Sequence, residues 1–94
     1  MKQRYGELRS TIARLVRDIT GKLVLAYNRA EDDNVRSRVC IAFAKCFQLL
    51  RNRGDPRTTL ILLKQLLEDV RWLGVEVDEA LVRKAVELAQ EFTS

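Results

Sequence analysis

Residues 39–47 are the most apolar segment of the chain, and only Lys45 interrupts its eight apolar side chains. The segment is far shorter than the roughly 20 apolar residues that a membrane-spanning helix needs. Its apolar arc is wider than the roughly 100° stripe of a helix that packs on one side. The segment therefore predicts the middle of a central helix that neighbouring helices cover on several sides.

Elsewhere, apolar residues recur at steps of three and four, which is typical of amphipathic helices. The pattern predicts helices over residues 5–29, 35–53 and 56–73, followed by a fourth helix after Asp78. Gly21 favours a bend or a break in the first of them, because glycine costs about 1 kcal/mol relative to alanine inside a helix.

The sharpest turn signal is Gly54-Asp55-Pro56. A left-handed glycine closes a helix, an aspartate caps the next one, and proline suits the first helical position. In the same way, Gly74 is predicted to end the third helix and Asp78 to cap the start of the fourth. Short corners join antiparallel neighbours, so the sequence predicts an all-α fold, a small antiparallel bundle of about four helices, with residues 1–94 as one domain.

Composition excludes disorder, since 47% of the residues are apolar and 32% are charged. No segment resembles a signal peptide or a membrane span, so the cytoplasm is the expected location. Cys40 and Cys46 are expected to be free thiols in the core, because unpaired cysteine is among the most buried residue types.

Catalysis is not expected. The chain has no histidine, which is the usual general base near neutral pH. Neither cysteine has a neighbouring base that would activate it, and no ligand spacing for a metal or a cofactor is present. We therefore expect a protein that is not an enzyme and has no cofactor, no metal site and no catalytic residue.

The outer side of the third helix predicts a protein contact. A helical projection places Ile61, Gln65, Glu68 and Trp72 opposite the core stripe. Tryptophan is enriched at interface hot spots, although a central third helix would bury these residues instead. A second candidate interface lies at the end of the first helix, which is apolar all round at Val24, Leu25 and Tyr27. Because the first helix is predicted to be the longest, part of it would remain uncovered, which favours a homodimer or a contact with a partner protein.

The N-terminal half is basic. Residues 1–57 contain 13 Lys or Arg and 6 Asp or Glu, and the whole chain carries a net charge of +4. The candidate phosphate-binding residues are Arg51, Arg53 and Arg57 at the second corner, Arg14 and Arg17 on the first helix, and Arg38 and Lys45 on the second. Helix capping and solvated outer faces explain many such charges.

Two functions fit these features. The first is a non-enzymatic helical interaction module or accessory subunit that self-associates through an apolar helix face. The alternative is an accessory protein that contacts the backbone of DNA or RNA without base specificity. An acidic partner protein would fit the same basic residues.

Overall fold

The computed structural model describes the backbone of residues 2–93 and the side chains of residues 4–93. These residues form four helices, α1 (Lys2–Arg29), α2 (Asp33–Arg51), α3 (Pro56–Trp72) and α4 (Glu79–Glu91). No strand occurs within residues 2–93. The predicted all-α fold is confirmed.

Aspartates start three of the helices, as the turn sequences predict. Asp32 accepts a hydrogen bond from the Asn34 N–H at 2.7 Å at the start of α2. Asp55 accepts from backbone N–H groups of the first turn of α3, and Asp78 does so for α4. The Thr58 hydroxyl also donates to Asp55 at 2.7 Å, and this hydrogen bond is the main reason that the pKa of the Asp55 carboxyl lies below its ordinary value.

The end of α3 follows the glycine-terminated pattern. Gly74 has φ +71°, in the left-handed region, and the Val75 N–H donates to the Val70 carbonyl at 2.9 Å. Val75 also packs against the core next to α3. This is the hydrogen-bond pattern that usually accompanies a left-handed glycine at a helix end.

The end of α2 differs from the prediction. Gly54 does not have a positive φ, so the expectation that a left-handed Gly54 closes α2 is wrong. Asn52 takes this part instead, because both its backbone N–H and its side-chain Nδ2 donate to the Gln48 carbonyl, at 2.9 and 2.8 Å. The Gly54 carbonyl accepts a hydrogen bond from the Tyr5 hydroxyl, which ties the corner to α1.

The helices form a closed square. α2 packs on α1 and α3, and α4 packs on α3 and α1, while no Cα atoms of the diagonal pairs of these four helices lie within 8 Å of each other. Contacts of Arg38 with Asp69 and of Lys45 with Gln65 show that α2 and α3 are antiparallel. All four helices line the core, with the largest share from α1, and its buried apolar residues are Leu8, Ile12, Leu15, Val16, Ile19, Leu23, Val39, Ala42, Cys46, Leu49, Leu62, Leu63, Leu66, Val70, Ala85, Leu88 and Ala89.

α1 continues through Gly21 without the break that glycine suggested. At 1.5 Å per residue its 28 residues span about 42 Å, against about 20 Å for the 13 residues of α4. As expected from this mismatch, Val24, Leu25 and Tyr27 near the end of α1 are exposed. None of the four described helices combines the length and the hydropathy that crossing a bilayer requires.

The interpretation of residues 39–47 as a covered central segment is wrong. Only Val39, Ala42 and Cys46 of this segment are buried, while Cys40 and Phe47 are exposed. A helix in a square bundle has two neighbours, so its outer half faces solvent. For the same reason, the expectation that both cysteines are buried holds for Cys46 and fails for Cys40.

Candidate interaction surfaces

The first exposed apolar surface lies between α2 and α3, and we call Ile41, Ile61 and Trp72 the α2–α3 surface. Ile61 is 58% exposed and Trp72 is 54% exposed, so the sequence-based placement of both residues outside the core is correct. Ile41 of α2 belongs to the segment 39–47 that the sequence predicts to be covered, but it is exposed, on the same side of α2 as Arg38 and Lys45.

An ion pair holds the tryptophan in place. The Arg38 guanidinium carbon lies 4.7 Å from the centre of the Trp72 ring, a distance at which a cation is attracted to an aromatic face. Arg38 also donates to the Asp69 carboxylate at 3.2 Å, and Asp69 is only 7% exposed. Trp72 therefore remains half exposed while one buried carboxylate fixes the arginine that stacks on it.

Polar residues of both signs surround the α2–α3 surface. Lys45 Nζ donates to the Gln65 side-chain oxygen at 2.7 Å, and Glu68 is exposed one turn before Trp72. Arg38 and Lys45, which were candidates for phosphate contacts, thus lie on this surface and bind residues of α3. The predicted interface residues Gln65 and Glu68 lie there too.

The second exposed apolar surface lies between α1 and α2. It contains a groove of about 370 Å³, lined by Ala13, Val16, Arg17, Thr20, Phe43, Cys46, Phe47 and Leu50. Phe47 projects furthest, at 66% exposure. Cys40 lies on α2, two turns before Phe47, and Val24 lies on α1, one turn after Thr20. Both residues are exposed, and each lies on the side of its helix that lines the groove.

We call the groove together with Cys40, Val24 and Tyr27 the α1–α2 surface. Sequence reasoning missed Phe47 and Cys40, because it assigned them to the core. The width of the apolar arc of α2 was the signal that could have indicated their exposure. A helix that packs on only two neighbours leaves part of so wide an apolar arc in solvent.

Leu25 belongs to neither surface. It lines a depression at the end of the bundle, where Val75 and Glu76 of the α3–α4 connection approach α1. Lys22 ties this connection down by donating to the Glu76 carbonyl at 2.7 Å. The predicted interface at the end of α1 is therefore divided, with Val24 and Tyr27 on the α1–α2 surface and Leu25 apart from them.

The candidate phosphate-binding residues do not form one cluster. Arg51 and Arg57 are exposed at the α2–α3 corner, but Arg53 is half-buried and donates to the Leu50 carbonyl at 3.2 Å. Asp55 accepts hydrogen bonds from N–H groups at the start of α3, so these groups are not free to bind a phosphate.

The other basic candidates lie elsewhere. Arg14 and Arg17 line a shallow depression on α1 together with Asp18 and Asp78, two carboxylates that reduce its positive potential. Arg38 and Lys45 belong to the α2–α3 surface.

The thiols offer little for catalysis. Burial raises the pKa of Cys46 to about 11, which keeps it protonated near neutral pH. Cys40 is exposed as a free thiol. Across the described part of the chain, no three His, Cys, Asp or Glu side chains are grouped so that they would hold a metal ion.

No protein-family model matches this chain, and neither a curated protein nor a solved structure matches it.

Proposed function

We propose that this protein is a non-enzymatic helical interaction module that self-associates through its α2–α3 surface. The observation that carries the proposal is the exposure of three large apolar side chains, Ile41, Ile61 and Trp72, on two adjacent helices. Large apolar side chains grouped on a surface are typical of protein contacts, and tryptophan is frequent among the residues that contribute most to binding. We place this activity in the cytoplasm, where the exposed thiol of Cys40 stays reduced.

The charges around this surface favour a second copy of the chain as the partner. A twofold dimer brings the same surface of both subunits together, so the surface must complement itself. Arg38 and Lys45 lie on the α2 side of this surface, and the exposed Glu68 lies on the α3 side. A twofold axis between them places positive groups of one subunit near negative groups of the other.

Sedimentation equilibrium tests self-association. We expect dimers at about 50 μM, a concentration at which a complex with a Kd of about 10 μM is mostly formed. Trp72→Ala and Ile61→Asp should give monomers that keep their helical circular dichroism, because both side chains are more than half exposed.

Two variants serve as controls. Leu25→Asp and Phe47→Ala change equally exposed apolar residues outside the α2–α3 surface, so both should still dimerise. Wild-type protein that is monomeric at this concentration, or dimers that survive Trp72→Ala and Ile61→Asp, would count against the proposal.

Binding to the backbone of DNA or RNA is the second candidate. Its support is the charge of α1 and α2, which carry eleven Lys or Arg against three Asp or Glu, and the exposure of Arg51 and Arg57 without an ion pair among the described residues. Contacts of this kind lose affinity steeply as salt rises, because bound counterions are released.

Titration of duplex and single-stranded oligonucleotides at two salt concentrations tests this candidate. Affinity should fall with salt, and reversing the charge of Arg51, Arg53 and Arg57 should abolish it. Binding that is indifferent to salt, or that survives the charge reversal, rules it out.

A further inference from the structure

The α1–α2 surface has an apolar centre that lies apart from the α2–α3 surface. Phe47 is its most exposed residue, and Phe43 lies half-buried beside it, one turn earlier on α2. From Ala13 to Tyr27 the surface follows α1 for about 21 Å, at 1.5 Å per residue. This length corresponds to about four turns of a helix lying in the groove.

Arginines flank this apolar centre. Arg9 and Arg17 lie one turn before and one turn after Ala13, which lines the groove, and Arg51 lies one turn after Phe47. All three arginines are exposed. Within residues 4–93, none of them forms an ion pair.

The described carboxylates of the two helices are paired with other bases, and Arg17 alone of the three arginines shares a depression with carboxylates, those of Asp18 and Asp78. The described parts of α1 and α2 contain three Asp or Glu residues, and each is paired with a base of its own helix. The pairs are Glu7 with Arg4 at 2.9 Å, Asp18 with Lys22 at 3.2 Å and Asp33 with Arg36 at 3.0 Å. The surface is thus apolar along its centre and positive along its edges.

We propose that the α1–α2 surface binds an amphipathic helix of a different protein, whose apolar face is flanked by Asp and Glu. A helix that lays its apolar face into a groove is a common mode of peptide recognition. Carboxylates on both flanks of such a helix would meet Arg9 and Arg17 on one side and Arg51 on the other. Complementary charge of this kind speeds association and excludes wrong partners.

Two other occupants fit less well. A second copy of the chain would bring the three arginines of one subunit near those of the other, and like charges at an interface oppose binding. A nucleic-acid duplex would use the arginines but would leave Phe47 and the groove beneath it unfilled, because the phosphates on its outside offer no apolar group to bury.

A displayed library of helical peptides of about 20 residues, with all positions outside an apolar stripe randomised, tests the proposal. Peptides are selected on the wild type alone, and the enriched peptides are then measured on the wild type and on Phe47→Asp. We expect the enriched sequences to carry an excess of Asp and Glu beside the apolar stripe. The best peptide, labelled with a fluorophore, then gives a Kd by anisotropy.

Phe47→Ala should weaken this peptide by at least roughly tenfold, as for a central interface residue. The pair Arg17→Glu and Arg51→Glu should weaken it at low salt, with a smaller effect at high salt, because exposed charges are screened. Trp72→Ala is the matched control and should leave the Kd unchanged, since Trp72 lies on the α2–α3 surface.

Selected peptides without an acidic excess, or peptides that bind Phe47→Asp as well as the wild type, overturn the proposal. So does a result in which a duplex oligonucleotide or a vesicle of anionic lipid binds through Phe47 and no library peptide does. The dimerisation test uses different residues, so either proposal can fail while the other stands.

Discussion

The substitutions Leu49→Ala and Phe47→Ala on α2 test which side of this helix the bundle covers. The quantity compared is the loss of unfolding free energy. Leu49 is fully buried, whereas Phe47 is 66% exposed. Truncating a fully buried leucine to alanine costs about 3 kcal/mol of unfolding free energy or more, and a fully buried phenylalanine costs about 3–5 kcal/mol. About a third of the Phe47 side chain is buried, which scales its cost to about 1–1.5 kcal/mol.

Helix propensity further lowers the free-energy cost of Phe47→Ala. Alanine is favoured over phenylalanine in a helix by about 0.5 kcal/mol, so Phe47→Ala should lose about 0.5–1 kcal/mol in all. A domain of this length has a stability of about 5–14 kcal/mol, so Leu49→Ala should remain folded.

Urea unfolding followed by circular dichroism measures both losses. With an m-value of about 1 kcal/mol/M, the midpoint should fall by about 3 M for Leu49→Ala and by less than about 1 M for Phe47→Ala. The protein concentration is varied in both series to separate folding from association. If Leu49→Ala and Phe47→Ala lose the same unfolding free energy at every protein concentration, Phe47 is covered within its own chain. That result would refute the reasoning.

Three further expectations concern glycine, thiol and acid behaviour. Gly21→Ala should stabilise the protein by up to about 1 kcal/mol, because a Cβ there meets nothing within 4 Å. Gly74→Ala should destabilise it by about 1 kcal/mol, since φ is +71°, and thermal melts that fail to separate the two variants would contradict this. A thiol reagent at pH 8 should label Cys40 rapidly and Cys46 only after unfolding, because Cys46 is buried with its pKa raised to about 11; two fast thiols in the native protein would be the contrary result. The pKa of Asp55 is lowered in the folded state, so its stabilising effect is complete above the unfolded-state pKa near 3.8 and is lost as pH falls through the folded-state pKa. Asp55→Asn should therefore flatten the acid limb of stability against pH, and an unchanged limb would remove this carboxylate from the explanation.

The starts of α2, α3 and α4 were predictable because they depend on residues that are close together in the sequence. Asp32, Asp55 and Asp78 cap helices through side-chain contacts with residues two or three positions ahead, so short-range sequence contains the information. The end of α2 was harder. Asn52 and Gly54 both suit a helix end, and the choice between them depends on hydrogen bonds that include Tyr5, far away in the chain.

The surfaces were only partly predictable. The exposure of Ile61 and Trp72 followed from their position opposite a clear core stripe on α3. Phe47 was misplaced because the periodicity of α2 gives the width of its apolar arc and not the number of its neighbours, which depends on the whole bundle. The partners of Arg38 and Lys45 lie on α3, 31 and 20 residues away, and the pattern of α2 alone does not contain such long-range pairs.

The square arrangement also bears on the order in which the chain folds. α1–α2, α2–α3 and α3–α4 are hairpins of adjacent segments, but the α1–α4 contact joins opposite ends of the sequence, as in the packing of Tyr5 on Phe92 at 5.1 Å. Contacts between distant segments carry the largest loop-closure cost, and two of the three fully buried residues of α4 are alanines, which bury less apolar area than the leucines of α1 and α3. We therefore expect the docking of α4 to complete folding, and its amide hydrogens to exchange with solvent before those of the other three helices.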